Sequence, residues 1–200
     1  DRGFSYMKPA SPLDMRMDRT QALTAETIVN DYQQKEIAKI LKQYGEEQFA
    51  TAIAAKIVIA RQRKRLTTCG ELVEIIEGTI PKKFQSGAPA ARKSFQAIRI
   101  AVNGELSGLY DCVVGLTRRL KKGGRIVILT FHSLEDRIVK QAFKFLESDC
   151  ICDKSLPVCT CGKKKEIEII TKKPVTASLK EITLNSRSKC AKLRIAEKII

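Results

Sequence analysis

The chain has 200 residues, 44% of them apolar, enough for a real core in one medium domain or two small ones. Its 37 Lys and Arg outweigh 22 Asp and Glu, giving a net charge of +15 and a pI near 9.6. Such a surplus points to a polyanionic partner, nucleic acid first, or else serves only to keep a basic protein dissolved. No run reaches the roughly 18 apolar residues of a membrane span, and no signal-peptide pattern opens the chain. Of seven cysteines four cluster, which does not suit a secreted disulfide framework, so a reducing cytoplasm is the expected home. The opening run Asp1-Arg2-Gly3-Phe4-Ser5 reads as a turn, as if the chain were broken off from a longer one.

Residues 1–23 carry Gly3, Pro9, Pro12 and the string Leu13-Asp14-Met15-Arg16-Met17-Asp18 without lasting periodicity, and are expected to form a loop. A helix is expected from Thr24, its cap, with Ile28, Val29 and Tyr32 on one face. Ile37, Ile40, Leu41 and Tyr44 continue the pattern until Gly45. Another helix runs from about Glu46 through Phe49, Ile53 and Ile57, and Thr68-x-x-Glu71 is a capping box for the next. A loop at Gln85-Ser86-Gly87-Ala88-Pro89 follows. With no β-rich run in 24–90, this part reads as all-helical.

Beyond it, Phe95, Ile98, Val102, Leu106 and Leu109 extend one helical face, with Gly104 and Gly108 inside the pattern, and Val113, Leu116 and Leu120 another. Gly123-Gly124 breaks the chain before Ile126-Val127-Ile128-Leu129, an apolar run suited to a strand buried on both faces of a parallel sheet. Ser133-x-x-Asp136 is expected to cap the following helix. A strand at Ile167–Thr171, a helix capped by Ser178-x-x-Glu181 and a strand at Leu193–Ile200 complete an α/β pattern. Three strands make a small sheet, whose further partners are expected before Asp1. Cys69, Cys112 and Cys190 read as buried small hydrophobes.

Four stretches offer chemistry. The first loop pairs the guanidinium forks of Arg2 and Arg16 with the carboxylates of Asp14 and Asp18, suited to phosphate and exocyclic-amine contact or to an ordinary charged surface. At the carboxyl end of the Ile126–Leu129 strand stand His132, the only histidine, then Ser133, Asp136 and Arg137, where ligands bind in open α/β sheets. Cys150-x-Cys152-x6-Cys159-x-Cys161, with Pro157 between, can close a structural zinc site, remain free thiols, or oxidise to two disulfides. Leu184 to Arg194, including Arg187, alternates basic and short polar side chains, fit for a phosphodiester backbone or a solvated turn. No glycine-rich loop follows a strand and opens a helix, so no cofactor loop is visible.

In this order, Asp1–Ser5, Pro12–Asp18, Leu23–Tyr32, Ser94–Ile100 with Val102-Asn103, Gly123–Lys140 (holding Phe-His-Ser-Leu-Glu-Asp-Arg) and Asn185–Lys198 resemble the bacterial small-subunit ribosomal RNA cytosine-N4 methyltransferases. The Ala88–Lys93 stretch departs from that pattern, and the cysteine loop looks like an insertion. The resemblance implies an α/β fold: the C-terminal part of a Rossmann-like methyltransferase domain plus an all-helical inserted domain. It implies a substrate loop at 1–22, the helical insert at 23–93 and the core at 94–200. It also implies S-adenosyl-L-methionine as methyl donor, bound by residues upstream of Asp1, so the fragment alone is expected to be inactive. The partner it implies is small-subunit (16S) ribosomal RNA or the 30S subunit.

On that basis Asp14, Asp18 or Asp136 accepts from the cytosine amine, and His132 or Ser133 orients the base. Arg2, Arg16, Arg137, Arg187 and Arg194 hold phosphates, and the two polar stretches are expected to share one cleft. A non-enzymatic RNA-binding or ribosome-assembly module, and a zinc-stabilised nucleic-acid adaptor, are the competing readings.

Overall fold

The structure, a computed structural model, describes residues 2–85, 89–153 and 158–200. The expected turn residues Ser86, Gly87, Ala88 and Pro157 lie outside them. The chain forms two compact units, residues 1–105 and 106–200.

The first unit is helical, as the pattern predicts. It comprises α1 (Ala25–Asp31), α2 (Gln34–Gly45), α3 (Ala50–Arg63), α4 (Cys69–Thr79), a 3-10 turn at Lys82–Phe84 and α5 (Arg92–Asn103). Thr24 caps α1, accepting from the Thr27 N–H, and Thr68 and Glu71 form the expected box at α4. Ile28, Ile37, Leu41, Ile53, Ile57, Leu72, Ile76 and Ile98 fill one core, joined by Leu13 and Met15 of the N-terminal loop. The helix expected from Glu46 starts later, at Ala50. Glu46 takes the left-handed conformation that ends α2, and Gly45 is still helical. The reason for glycine at 45 is proximity: a Cβ there would stand 2.7 Å from the Lys93 carbonyl oxygen, where α5 crosses α2.

Gly104 and Gly108 do not sit inside a helix. Both have positive φ, Gly104 ending α5 and Gly108 preceding α6 (Leu109–Arg119). Helical spacing carried across 104–108 only by coincidence of the apolar residues on either side.

The second unit continues with β1 (Arg125–Thr130), α7 (Ser133–Glu147), β2 (Ile167–Ile169), β3 (Val175–Thr176), α8 (Leu179–Leu184), a 3-10 turn at Ser186–Cys190 and β4 (Lys192–Lys198). Strand β4 pairs with β1 along its length and with β2 and β3 on its other edge, all antiparallel. This corrects the expected parallel sheet. An unbroken apolar run reports which faces are oily, not which way a neighbour runs. Nor is β1 covered twice: Ile126 and Ile128 are half-buried, while Val127 is 56% and Leu129 51% exposed. Helices α6 and α7 supply the core of this unit, through Val113, Val114, Val139, Phe143 and Leu146 against Ile167 and Ala196.

The expected strand Ile167–Thr171 stops at Ile169, because the Ile170 and Thr171 amides both turn onto the Ile195 carbonyl. The two-residue β3 was not predicted; it is too short to carry a pattern. Of the three isolated cysteines only Cys69 is buried, and Cys112 and Cys190 are exposed. Among the described residues no helix is long and apolar enough to cross a membrane.

Candidate functional site

The N-terminal loop is a built structure rather than a solvated strand of charges. Leu13 and Met15 are buried in the helical core, and the amides of Ala25 and Glu26 donate to the Asp14 and Leu13 carbonyls (2.9 and 2.6 Å). The first free N–H groups of α1 are thus satisfied by the loop itself. Met15 holds a left-handed backbone (φ 58°), its N–H on the Arg2 carbonyl at 2.7 Å. The Arg2 guanidinium donates to the Arg16 and Met17 carbonyls, each at 3.0 Å. Arg16 forks onto Asp14 (2.7 and 3.1 Å) and reaches the Arg19 and Gln21 carbonyls. That fork holds the Asp14 carboxyl below the usual carboxylate range.

Two anchors escaped the sequence reading. Asn103, at the end of α5, accepts from the Met17 N–H (2.7 Å) and donates to the Met15 carbonyl (2.8 Å). Gln21 donates to the Val102 carbonyl at 2.9 Å. An amide at a helix end has no periodic signature, so only contact across the chain reveals it. Asn103→Ala orphans both loop groups and is expected to cost about 1–3 kcal/mol, with faster amide exchange at Met17. Unchanged exchange there would remove Asn103 as the anchor.

Asp18 differs from Asp14. It is exposed, and its Oδ1 accepts from the Thr20 N–H (2.9 Å) and hydroxyl (2.8 Å) while Oδ2 takes no partner among the described residues. The Thr20 amide lowers its pKa, so it is a standing acceptor at neutral pH.

In the second unit, His132, Ser133, Asp136 and Arg137 fall on the N-terminus of α7. The cap is His132, not Ser133: Nδ1 accepts from the Glu135 N–H at 3.3 Å, and the Glu135 carboxylate accepts from the His132 N–H at 3.2 Å. The box is therefore His132–Glu135, one residue earlier than Ser133–Asp136, because an imidazole nitrogen can replace the usual cap oxygen. Accepting at Nδ1 leaves the ring proton for Nε2.

Asp136 is turned inward. Its carboxylate receives the Arg194 fork (2.6 and 3.1 Å) and lies 3.4 Å from the Lys192 ammonium, with Asp136 and Arg194 both buried. The Arg194 hydrogen bonds lower the pKa of Asp136. Arg137 and Arg187 are exposed. A hollow of about 240 Å³ beside Arg194 is lined by Lys140, Lys144 and Lys172 together with Glu147.

The four clustered cysteines, Cys150, Cys152, Cys159 and Cys161, bring their sulfurs within 4.8 Å of one another. No described strand is followed by a glycine-rich turn opening a helix, since Gly123-Gly124 precede β1 and His132 stands after it.

Proteins called "Ribosomal RNA small subunit methyltransferase H" align along the chain. The one from Clostridium botulinum (strain Kyoto / Type A2) is 54% identical over 198 residues, covering 99% of this chain and 64% of that protein. The one from Caldicellulosiruptor saccharolyticus is 52% identical over 199 residues, and that from Clostridioides difficile (strain 630) 52% over 200, each again covered to 64% of its length. The chain thus spans about 64% of the relatives it matches. Residues 1–199 match the MraW methylase family, and the chain belongs to that family.

Proposed function

We propose that the complete protein transfers a methyl group from S-adenosylmethionine to N4 of a cytidine in small-subunit ribosomal RNA, and that this chain supplies groups on the substrate side. Three things support the reading: relatives of that name, the +15 charge, and a rigid loop that presents one carboxylate outward. The last carries most weight. Arg2, Arg16, Asp14 and Asn103 are engaged in holding the loop, and Asp18 Oδ2 is left facing outward to do chemistry.

The lone pair of a cytosine amine is delocalised into the ring. A carboxylate accepting one of its N–H bonds returns electron density to the nitrogen and fixes its direction, with no covalent intermediate on the enzyme. Asp18 is assigned this acceptor role, and its Oδ2 takes the proton that N4 gives up as the methyl group arrives. Asp14 is a positioning residue, because both its oxygens lie in the Arg16 fork. His132 and Ser133, at the N-terminus of α7, orient the base. Asp136 and Arg194 hold α7 against β4. Arg137, Arg187 and the lysines around the hollow bind phosphates.

The test uses the complete gene product, small ribosomal subunits or their RNA, and labelled methyl donor. Asp18→Asn is expected to lower kcat about a hundredfold with an unchanged melting temperature. His132→Asn keeps a capping acceptor, so it too should lose turnover while staying folded. Near-normal rates in both variants would remove these assignments, and a wild-type enzyme that leaves cytidine N4 unmodified would remove the reaction.

A further inference from the structure

The segment 148–166 joins α7 to β2. None of its described residues is buried, and Ile151 and Val158 are 58% and 70% exposed. Its base is closed: the Glu166 N–H donates to the Leu146 carbonyl at 2.8 Å, the Lys163 ammonium lies 4.7 Å from the Phe145 ring centre, and Arg118 forks onto the Glu166 carboxylate. Closing the base leaves the tip unexplained. Ordering a residue costs about 1–2 kcal/mol of backbone entropy, and beyond the base no described residue of the segment is buried to offset it. Some other cross-link has to hold the far end.

The tip offers one. Its four thiols are free rather than joined in pairs. Cys159 Sγ lies 3.4 Å from Cys150, 3.9 Å from Cys152 and 3.5 Å from Cys161, and Cys161 lies 3.9 Å from Cys150. A zinc ion with four bonds of about 2.3 Å to sulfur sets a regular tetrahedron whose edges are about 3.8 Å. These four separations bracket that edge, and the other two lie within 4.8 Å. Backbone amides also point at sulfur, Ile151 N–H at Cys161 and Cys152 N–H at Cys150, each at 3.4 Å. Such N–H groups fix ligand orientation and offset thiolate charge.

We infer that Cys150, Cys152, Cys159 and Cys161 bind one Zn²⁺ and staple the α7–β2 connection. Four thiols give up four protons as the ion enters, leaving a site of charge −2. The run Lys163-Lys164-Lys165 that follows the last cysteine is cationic, with Lys163 and Lys165 also paired to Glu166 and Glu168. Four protein sulfurs close the coordination sphere, so the metal has a structural role, independent of the methyl-transfer reading above.

The whole chain, purified under reducing conditions without chelator, should carry about one zinc per molecule. Cys159→Ser, which removes the sulfur nearest the others, should lower that at least fivefold, while Cys112→Ser and Cys190→Ser leave it unchanged. Cobalt in place of zinc should give the intense thiolate-to-metal absorption and visible bands of a tetrahedral tetrathiolate site. Removing metal should expose segment 148–166 to protease while the far-ultraviolet dichroism of the helices persists. Metal content equal in wild type and Cys159→Ser, no uptake from added zinc, iron in zinc's place, or two disulfides in freshly reduced-handled protein would each overturn the assignment.

Discussion

Gly3→Ala is expected to destabilise the first unit by more than about 2 kcal/mol and to release the N-terminal loop. A Cβ on Gly3 would sit 2.0 Å from the Pro12 carbonyl oxygen and 3.1 Å from Cys69 Sγ, and its φ of +74° strains any other residue. The left-handed backbone costs of order 1 kcal/mol or more, and forced overpacking typically adds about 1–3 kcal/mol. Pro12 has little room to yield. It bridges to Thr68, and the next amide, Leu13, donates to the Thr67 carbonyl at 3.0 Å. Detaching the loop instead would expose Leu13 and Met15, both at the bottom of the core.

Gly108→Ala isolates the two contributions. Gly108 has nearly the same φ, +75°, with nothing within 4 Å of the added carbon, so it carries the backbone strain alone. Chemical denaturation of both variants should show the larger loss at Gly3, and, on the role proposed for Asp18, the complete protein carrying Gly3→Ala should lose methyl transfer. Equal losses at the two glycines would mean that Pro12 moves freely.

Much of the helical unit was legible because its signals are local. Thr24, Thr68 with Glu71, and the apolar spacing of Ile28, Ile37, Ile53 and Ile57 act within one or two turns. The sheet was less so. Ile126–Leu129 announces a strand, yet its partner, β4, lies some 65 residues on, and the antiparallel direction is fixed by that connection. The same holds at the site. Asp14, Asp18 and Asp136 look alike as letters, and all were candidates for one role. What separates them is a fork from Arg16, a turn onto Thr20, and a buried grip from Arg194, and two of those three partners are two residues away while the third is 58 away. Asn103 accepts from an amide 86 residues away, and its place in a stretch shared with the family gave no hint of that role.

The Asp136–Arg194 pair carries the second large prediction. Asp136 is 7% and Arg194 6% exposed, so Asp136→Asn leaves a guanidinium out of water without its counter-charge. Breaking a buried pair from one side costs about 3–5 kcal/mol, a fall in melting temperature of order 10 °C or more for a unit of this size. Acid should reproduce part of that loss. The Arg194 fork holds the Asp136 carboxyl below its ordinary 3.8, so the native state binds its proton less readily than the unfolded chain. The stabilisation is complete above the unfolded value and disappears as pH falls through the lower native one. The wild type should therefore lose stability on acidification below about pH 4 more steeply than Asp136→Asn, and the two curves should converge at the acid end. Replacing both partners with apolar residues, Asp136→Leu with Arg194→Met, should recover much of the stability, since neither charge then needs solvating. That double variant also decides what the pair does for catalysis. Methyl transfer regained along with stability makes Asp136 and Arg194 the support of the His132 cap, whereas stability without activity would return Asp136 to the reacting groups.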